Sequence, residues 1–353
     1  MLPARYQPTS KSVTPGGYGS VQKVKDTFLG RTVLFKRMHN SAHNEQLETE
    51  IRALSKVRSR HVVEIYDVIY DKHDKVEGII IELLPGREFT HFHKNYPVDL
   101  NGYLRVLFQI ATALADAHDA GVVHRDLKLD NLRETASGVL KLFDFGISST
   151  DSTYTTKDNR GTMLYAAPEL YEDGAKITPE MDVYALGVCA WALATDDLPE
   201  ELYEQPPQHS SRAHSIDTVA PGRLAPEVAA LIDSCLDPDP SARPTARQIS
   251  IELGLHLVRG QHRGLFVQGA NKIYELSHAS PRVAIKIPTQ GELGVQYDGL
   301  SFKIVSVSGD VYMNNSRAKA GDELHKACVL TFGSNGAGRT YVQFASSHPE
   351  VIL

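Results

Sequence analysis

The sequence predicts an α+β arrangement, with a β-rich lobe over residues 12–84 and a helical lobe over 85–256, followed by a small, sandwich-like all-β domain over 260–353. Three observations carry this expectation. Before residue 84 the apolar residues fall in short branched and aromatic runs. Between 100 and 255 they recur at helical spacing, and beyond 258 short alternating runs return, separated by turn residues. A length of 353 residues leaves room for two domains. With 42% hydrophobic and 23% charged residues, both can build a core, which excludes wholesale disorder.

Residues 1–11 read as an arm. Runs 21–25, 32–37, 62–70 and 78–84 read as strands bounded by Gly, Pro or charged clusters. Between the second and third, Leu47, Ile51, Leu54 and Val57 recur among charged residues, so 44–57 reads as an amphipathic helix. Leu104, Leu107, Ile110, Ala111, Leu114 and His118 form a helical stripe, and 182–194 and 227–236 read as further helices. Runs 285–287, 301–307, 311–313, 327–332 and 340–344 read as strands of the last domain, with Cys328, Leu330 and Phe332 on one face. The domain boundary falls near Arg259-Gly260.

The formal net charge of −6 excludes a global basic field, so nucleic acid is not an expected partner. Cys189, Cys235 and Cys328 lie far apart with no CxxC pair, which argues against structural zinc and against a disulfide framework. A reducing, cytoplasmic setting fits that usage. No signal-like amino-terminal segment and no apolar run of membrane-spanning length is apparent, so no membrane anchor is expected. His39 with His43, and His91 with His93, read as surface histidines, and Trp191 as core.

The chemistry-bearing pattern is His124-Arg125-Asp126-Leu127-Lys128-Leu129-Asp130-Asn131. Asp144-Phe145-Gly146 starts 18 positions after Asp126, and the segment Gly161–Glu169, ending Ala167-Pro168-Glu169, follows. With these motifs the sequence resembles the eukaryotic-like, Hanks-type serine/threonine protein kinase family over about residues 12–255. The resemblance implies the bilobal protein-kinase fold and transfer of the γ-phosphate of ATP to Ser/Thr hydroxyls of protein substrates. Phosphoryl transfer asks for placement and charge neutralisation more than covalent participation, and the residue types suit that demand. By the resemblance, Asp126 orients and deprotonates the substrate hydroxyl, and Lys128 neutralises charge near the γ-phosphate. Asn131 and Asp144 are the ligands of Mg²⁺, with Mn²⁺ as the alternate ion.

In the first lobe, Val33-Leu34-Phe35-Lys36 resembles the strand whose lysine pairs the phosphates, with Glu50 as its carboxylate partner. Residues 79–86 resemble the family's last strand and hinge, which implies that Ile81 stands at the gatekeeper position and that the backbones of Glu82 and Leu84 meet the adenine edge. The phosphate-covering loop falls on Thr14, Gly16, Gly19 and Val21, with Thr14 in place of the usual first glycine. Leu34 stands where the family has alanine, and Arg133 where an apolar residue lies beneath the base. Arg125 is the expected receiver of a phosphate on the activation segment, where Thr153, Thr155 and Thr156 are the candidate autophosphorylation sites. Thr162 is expected to bond the catalytic loop. Glu169 with Arg243 and the loop-bracing Asp182 are expected to be scaffold.

The end of the chain, around Val311–Met313, Leu324 and 329–344, faintly resembles a forkhead-associated β-sandwich. That implies a docking or regulatory module with a phosphoprotein partner. Two rival readings of the first domain are a nucleotide-sensing pseudokinase and a small-molecule phosphotransferase. Lys36, Glu50, Asp126, Asn131 and Asp144 together speak against the former, Lys128 and the Gly161–Glu169 segment against the latter.

Overall fold

The structure is a computed structural model that describes residues 2–15, 19–38, 44–95, 99–147, 163–269, 272–334 and 338–351. The chain divides between Leu253 and Gly254 into two units.

The first unit opens with an antiparallel sheet of β1 (Tyr6–Pro15), β2 (Gly19–Asp26), β3 (Arg31–Met38), β4 (Ile65–Tyr70) and β5 (Val76–Ile81), in the order β1-β2-β3-β5-β4. Helix α1 (Asn44–Lys56) connects β3 to β4 and packs on β5. Side chains alternate across a strand, and the alternation of β3 assigns its residues to two jobs. Val33 and Phe35 join Tyr6, Val24, Ile69 and Ile80 in a core on one face. Leu34 and Lys36 take the other face. Directly opposed residues of an antiparallel pair share a face, so Val21 opposite Lys36 and Ile81 opposite Leu34 look the same way.

The segment expected to be an arm instead supplies β1. Tyr6 is buried and donates its hydroxyl to Asp67 at 2.8 Å, while Arg5 grips Asp26 with two bonds of 2.7 and 2.8 Å. A polar edge strand with a bulge between Pro8 and Val13 has no clean alternation to read.

The helical part of this unit contains α2 (Phe92–Asn95), α3 (Leu100–Asp119), the hairpin β6 (Leu132–Glu134) and β7 (Leu140–Leu142), α4 (Pro179–Ala194), α5 (Pro226–Ser234) and, up to the division at Leu253, most of α6 (Ala246–Leu257). Asp99 caps α3 by accepting the Gly102 N–H at 2.8 Å. Helix α4 is buried on every side and forms the centre, with Tyr103 of α3 donating to the Ala190 carbonyl at 2.9 Å. The hairpin is tied to the β-rich lobe through Val63 N–H to Leu142 O, 3.0 Å, and Leu142 N–H to His61 O, 2.8 Å.

The second unit is a sandwich of two antiparallel sheets. One has three strands, β10 (Arg282–Ile287), β11 (Gly291–Tyr297) and β12 (Phe302–Gly309). The other has the order β14-β13-β15-β16-β8-β9, from β8 (Gly264–Gln268), β9 (Lys272–Leu276), β13 (Val311–Met313), β14 (Ser316–Arg317), β15 (Ala327–Phe332) and β16 (Thr340–Ser346). Ile285, Leu293, Val295 and Phe302 of the first meet Phe266, Leu330, Val342 and Phe344 of the second in one core. Gly264 lies where they close: a Cβ there would stand 2.7 Å from Phe302 Cε1 and 2.9 Å from Phe344 Cε2.

Candidate active site

Lys36 projects from β3 and Glu50 from α1, and their side chains meet at 2.7 and 2.9 Å. The same Lys36 Nζ lies 2.8 Å from Asp144 Oδ1, joining the sheet to the turn that follows β7. Burial lowers Lys36, but attraction to Glu50 and Asp144 outweighs it and holds the ammonium above its ordinary range. Desolvation raises Asp144, yet the Lys36 charge and hydrogen bond, with His124 and Lys128, bring it below the usual carboxylate range. Burial raises the Glu50 carboxyl against the pull of Lys36. With two short bonds to the ammonium, we treat Glu50 as the ionised half of that pair.

Asp126 is the second focus. Lys128 Nζ lies 2.7 Å from Asp126 Oδ2, and Asn131 Nδ2 donates to that oxygen at 3.1 Å and to the Asp126 carbonyl at 2.8 Å. Asn131 immediately precedes β6, and Phe143 N–H bonds the Asn131 carbonyl at 3.0 Å. Since Leu132 pairs with Leu142 in the hairpin, its open end brings Asn131 beside the Phe143-Asp144 step.

The backbone of the loop is held under strain. Arg125 and Asp144 have φ of 70° and 67°, unusual for residues other than glycine. Asp182, buried at the start of α4, offsets the first by accepting the backbone N–H of His124 and of Arg125, both at 2.8 Å. His118 Nε2 lies 2.8 Å from the same carboxylate. Burial raises Asp182, but His118, the nearby His124 charge and the Arg125 amide bring it below its ordinary value. Phe145 is fully buried edge-on against the His124 ring at 4.5 Å.

The matching family model is that of the protein kinase domain, aligned over residues 9–252. The chain belongs to the protein kinase family. It is similar to the "Probable serine/threonine-protein kinase pknA2" of Bifidobacterium longum, 30% identical over 69% of this chain and 34% of that protein. It is likewise similar to the "Probable serine/threonine-protein kinase PknB" of Lactococcus lactis, 30% identical over 54% of this chain and 31% of that protein. The "SNF1-like protein kinase ssp2" of Schizosaccharomyces pombe is 31% identical over 66% of this chain and 39% of that protein. The chain thus matches about a third of the length of these curated relatives. Its fold is the bilobal protein-kinase fold followed by an all-β domain.

Within the kinase domain, Val21, Leu34 and Ile81 share one sheet face with Lys36, and Gly19 pairs with Met38. Glu82 and Leu84 follow β5, and the Glu82 side chain is drawn to Lys141 at 3.0 Å. Arg133, the unusual residue on β6, forms an ion pair with Glu88. Arg125 donates to the Ile147 carbonyl at 3.0 Å. Gly16, Thr153, Thr155, Thr156 and Thr162 lie outside the described residues, as do His39 and His43. His91 bonds Asp196 at 2.9 Å with His93 nearby, and Trp191 is core. Sequence reading missed the role of His118, whose place at the end of an apolar stripe concealed its bond to Asp182. It also missed the ion pairs that bracket 82–88, for which there was no periodic signal.

Among the described residues no group of three or more His, Cys, Asp and Glu could cage a metal. Asn131 and Asp144 supply an amide and a carboxylate at the hairpin mouth, and the Asp144 side chain is 47% exposed. Such a sparse oxygen set fits Mg²⁺, which takes one or two protein oxygens and completes its shell with phosphate and water.

Proposed function

We propose that the protein is a serine/threonine protein kinase that transfers the γ-phosphate of ATP to protein hydroxyls and autophosphorylates its activation segment. The observation that carries this reading is the convergence of Lys36 on Glu50 and Asp144, beside an Asp126 carboxylate held by Lys128 and Asn131. In that reading Lys36, positioned by Glu50, holds the α- and β-phosphates. The backbone at Gly16 and Gly19 with Val21 covers the nucleotide, and the backbone of Glu82 and Leu84 takes the adenine edge. Asn131 and Asp144 hold Mg²⁺, which when bound neutralises phosphate charge. Asp126 aligns the substrate hydroxyl and accepts its proton as the oxygen–phosphorus bond forms and the bond to the ADP oxygen breaks. Lys128, 2.7 Å from Asp126, places a cation where the transferring group passes. Phosphate on Thr153, Thr155 or Thr156 is received by Arg125.

The kinase domain in this reading spans 12–256, with lobes at 12–84 and 85–256, and the second domain 260–353. Two antiparallel sheets around one core support a forkhead-associated-like module that docks a phosphoprotein or regulatory partner. Among the described residues no helix is long and apolar enough to cross a membrane. The three free, buried cysteines accord with action in the cytoplasm.

The test is incubation of the purified protein with labelled ATP and Mg²⁺, phosphosite mapping, and comparison with Asp126→Asn. Label on activation-segment threonines that is lost in the variant supports the reading. Nucleotide binding with no transfer to itself or to any protein makes it a pseudokinase instead.

A further inference from the structure

The segment after β5 and strand β6 are cross-linked residue by residue. Gly86 N–H donates to Glu134 O at 2.9 Å, Glu134 N–H to Arg87 O at 3.1 Å, and Glu88 stands opposite Arg133 in a β-bridge. The approach is close: a Cβ on Gly86 would lie 2.5 Å from Thr135 O. Side chains alternate along a strand, so Arg133 and the buried Glu134 leave β6 by opposite faces. Glu134 takes Arg87 in a fork of 2.6 and 2.7 Å, and Arg133 takes Glu88. A slip of one residue would oppose Arg87 to Arg133 or Glu88 to Glu134. Like charges directly opposite are destabilising, so charge fixes this register.

Arg133 also lies opposite Lys141 in the β6–β7 hairpin, and opposed residues share a face. Lys141 is buried and held by Glu82 at 3.0 Å and by Val62 O at 3.2 Å. That face therefore meets one carboxylate at each end of residues 82–88, the stretch whose backbone takes the adenine edge in the reading above. An arginine beneath a base brings two unlike parts. Its slender apolar stem can lie against a ring, while its five-donor head seeks water or an acceptor. The Arg133 and Glu88 side chains are 39% and 66% exposed, so their pair stands at the surface.

We infer that Arg133 sets base affinity through its stem and that Glu88 positions it, holding the guanidinium outside the base slot. The Lys141 cation beside it keeps the head from turning back along the hairpin. Without Glu88 the head turns to the backbone carbonyls of 82–84, and a base must displace it to bind. The inference rests on the kinase reading and adds to its nucleotide site a pair that tunes affinity for the base.

The test measures, on the full chain, the calorimetric affinity for ATP with Mg²⁺ and for adenosine, beside KM and kcat for ATP. Adenosine carries the base without phosphate, so an effect on the slot shows with both ligands and an effect on phosphate charge with ATP alone. Glu88→Ala is expected to weaken both ligands about fivefold, the upper end for an exposed ion pair. KM for ATP should rise by the same factor while kcat at saturation holds. Adding Arg133→Met, which keeps an unbranched stem and removes the head, should recover most of that loss. Arg133→Ala removes the stem as well and should weaken both ligands about tenfold, as for about two buried methylenes. Melting temperatures of all variants separate lost binding from lost folding. Adenosine affinity unchanged in Glu88→Ala, a loss that Arg133→Met does not recover, or wild-type affinity in Arg133→Ala overturns this inference and leaves the kinase reading standing. Both ligands bound with no transfer to any protein overturns the kinase reading, and the same affinities still decide the role of the pair. No binding of either ligand by the wild-type chain overturns both.

Discussion

Arg243 holds Glu169 through two parallel bonds, Nη1 to Oε1 and Nη2 to Oε2, each 2.7 Å. Arg243 Nε also donates to Asp237 O at 2.7 Å, and Nη1 to Glu180 O at 2.9 Å. The guanidinium side chain is fully enclosed. One residue after Pro168 and one before Pro244, this pair ties the segment after the activation loop to the turn ahead of α6.

Arg243→Ala is therefore expected to destabilise the kinase domain by about 3–5 kcal/mol, because it leaves a partly buried carboxylate without its cation and strips a donor from the Asp237, Pro238 and Glu180 carbonyls. For a domain of this size that is a fall in melting temperature of about 10 °C. Arg243→Lys is expected to recover only part, since an ammonium cannot make the parallel fork. The control is Arg52→Ala, which breaks an exposed pair with Glu48 and should cost under about 1 kcal/mol. Equal effects of the two alanine variants would refute the argument.

Lys36→Met is expected to lower phosphotransfer about 100- to 1000-fold, the scale of losing one preorganised charged donor. It also leaves Glu50 buried without its cation, and burial already raises that carboxyl. A raised folded pKa contributes stability that is complete below the unfolded value of about 4.3 and lost as pH rises through the folded value. The stability gap between wild type and Lys36→Met should accordingly widen from pH 5 to pH 8. Lys36→Met with Glu50→Gln should close much of that gap without restoring activity. Thermal melts across pH, with phosphotransfer measured at pH 7.5, decide both points.

Asp182 predicts the opposite slope. Its folded pKa is depressed, with burial opposed and outweighed by His118, the His124 charge and the Arg125 amide. That contribution is present above the unfolded value of about 3.9 and fades as pH falls through the folded one. Asp182→Asn should lower the melting temperature at pH 7 and flatten the acid limb of the stability curve below about pH 4. It should also cut phosphotransfer, because Arg125 at φ 70° loses a bond that secures it. An acid limb unchanged in the variant would show that the limb comes from other carboxylates.

How much of this was legible in the sequence depends on what kind of signal each residue carries. Asp126, Lys128, Asn131 and Asp144 were legible through the resemblance of their motifs to those of the kinase family, and a tight loop and a short hairpin explain how they meet. Lys36 and Glu50 were legible through the same resemblance, and strand β3 and helix α1 bring them together. Strand β1, by contrast, is a polar edge. In β11 a register shift between Gly294 and Val295 breaks the alternation a reader would count. Helix α6 leaves Ile251 and Leu255 half-exposed, which blurs its apolar face. The Arg133–Glu88 and Lys141–Glu82 pairs join residues more than forty positions apart through charge, which has no period.

The second unit supports a prediction that also tests its independence. Phe344 is 2% exposed and packs on Phe266 at 4.7 Å and Phe302 at 5.4 Å, bridging the two sheets. Phe344→Ala removes a ring that neighbouring side chains cannot replace, at a cost of about 3–5 kcal/mol. A module of about 100 residues has a small unfolding entropy, so its transition should move down by more than about 12 °C. If the two units unfold separately, calorimetry of the variant will show that transition displaced and the kinase-domain transition in place, with autophosphorylation retained. A single transition shifting as one, with loss of phosphotransfer, would instead make the sandwich part of the cooperative unit that holds Lys36 against Asp144.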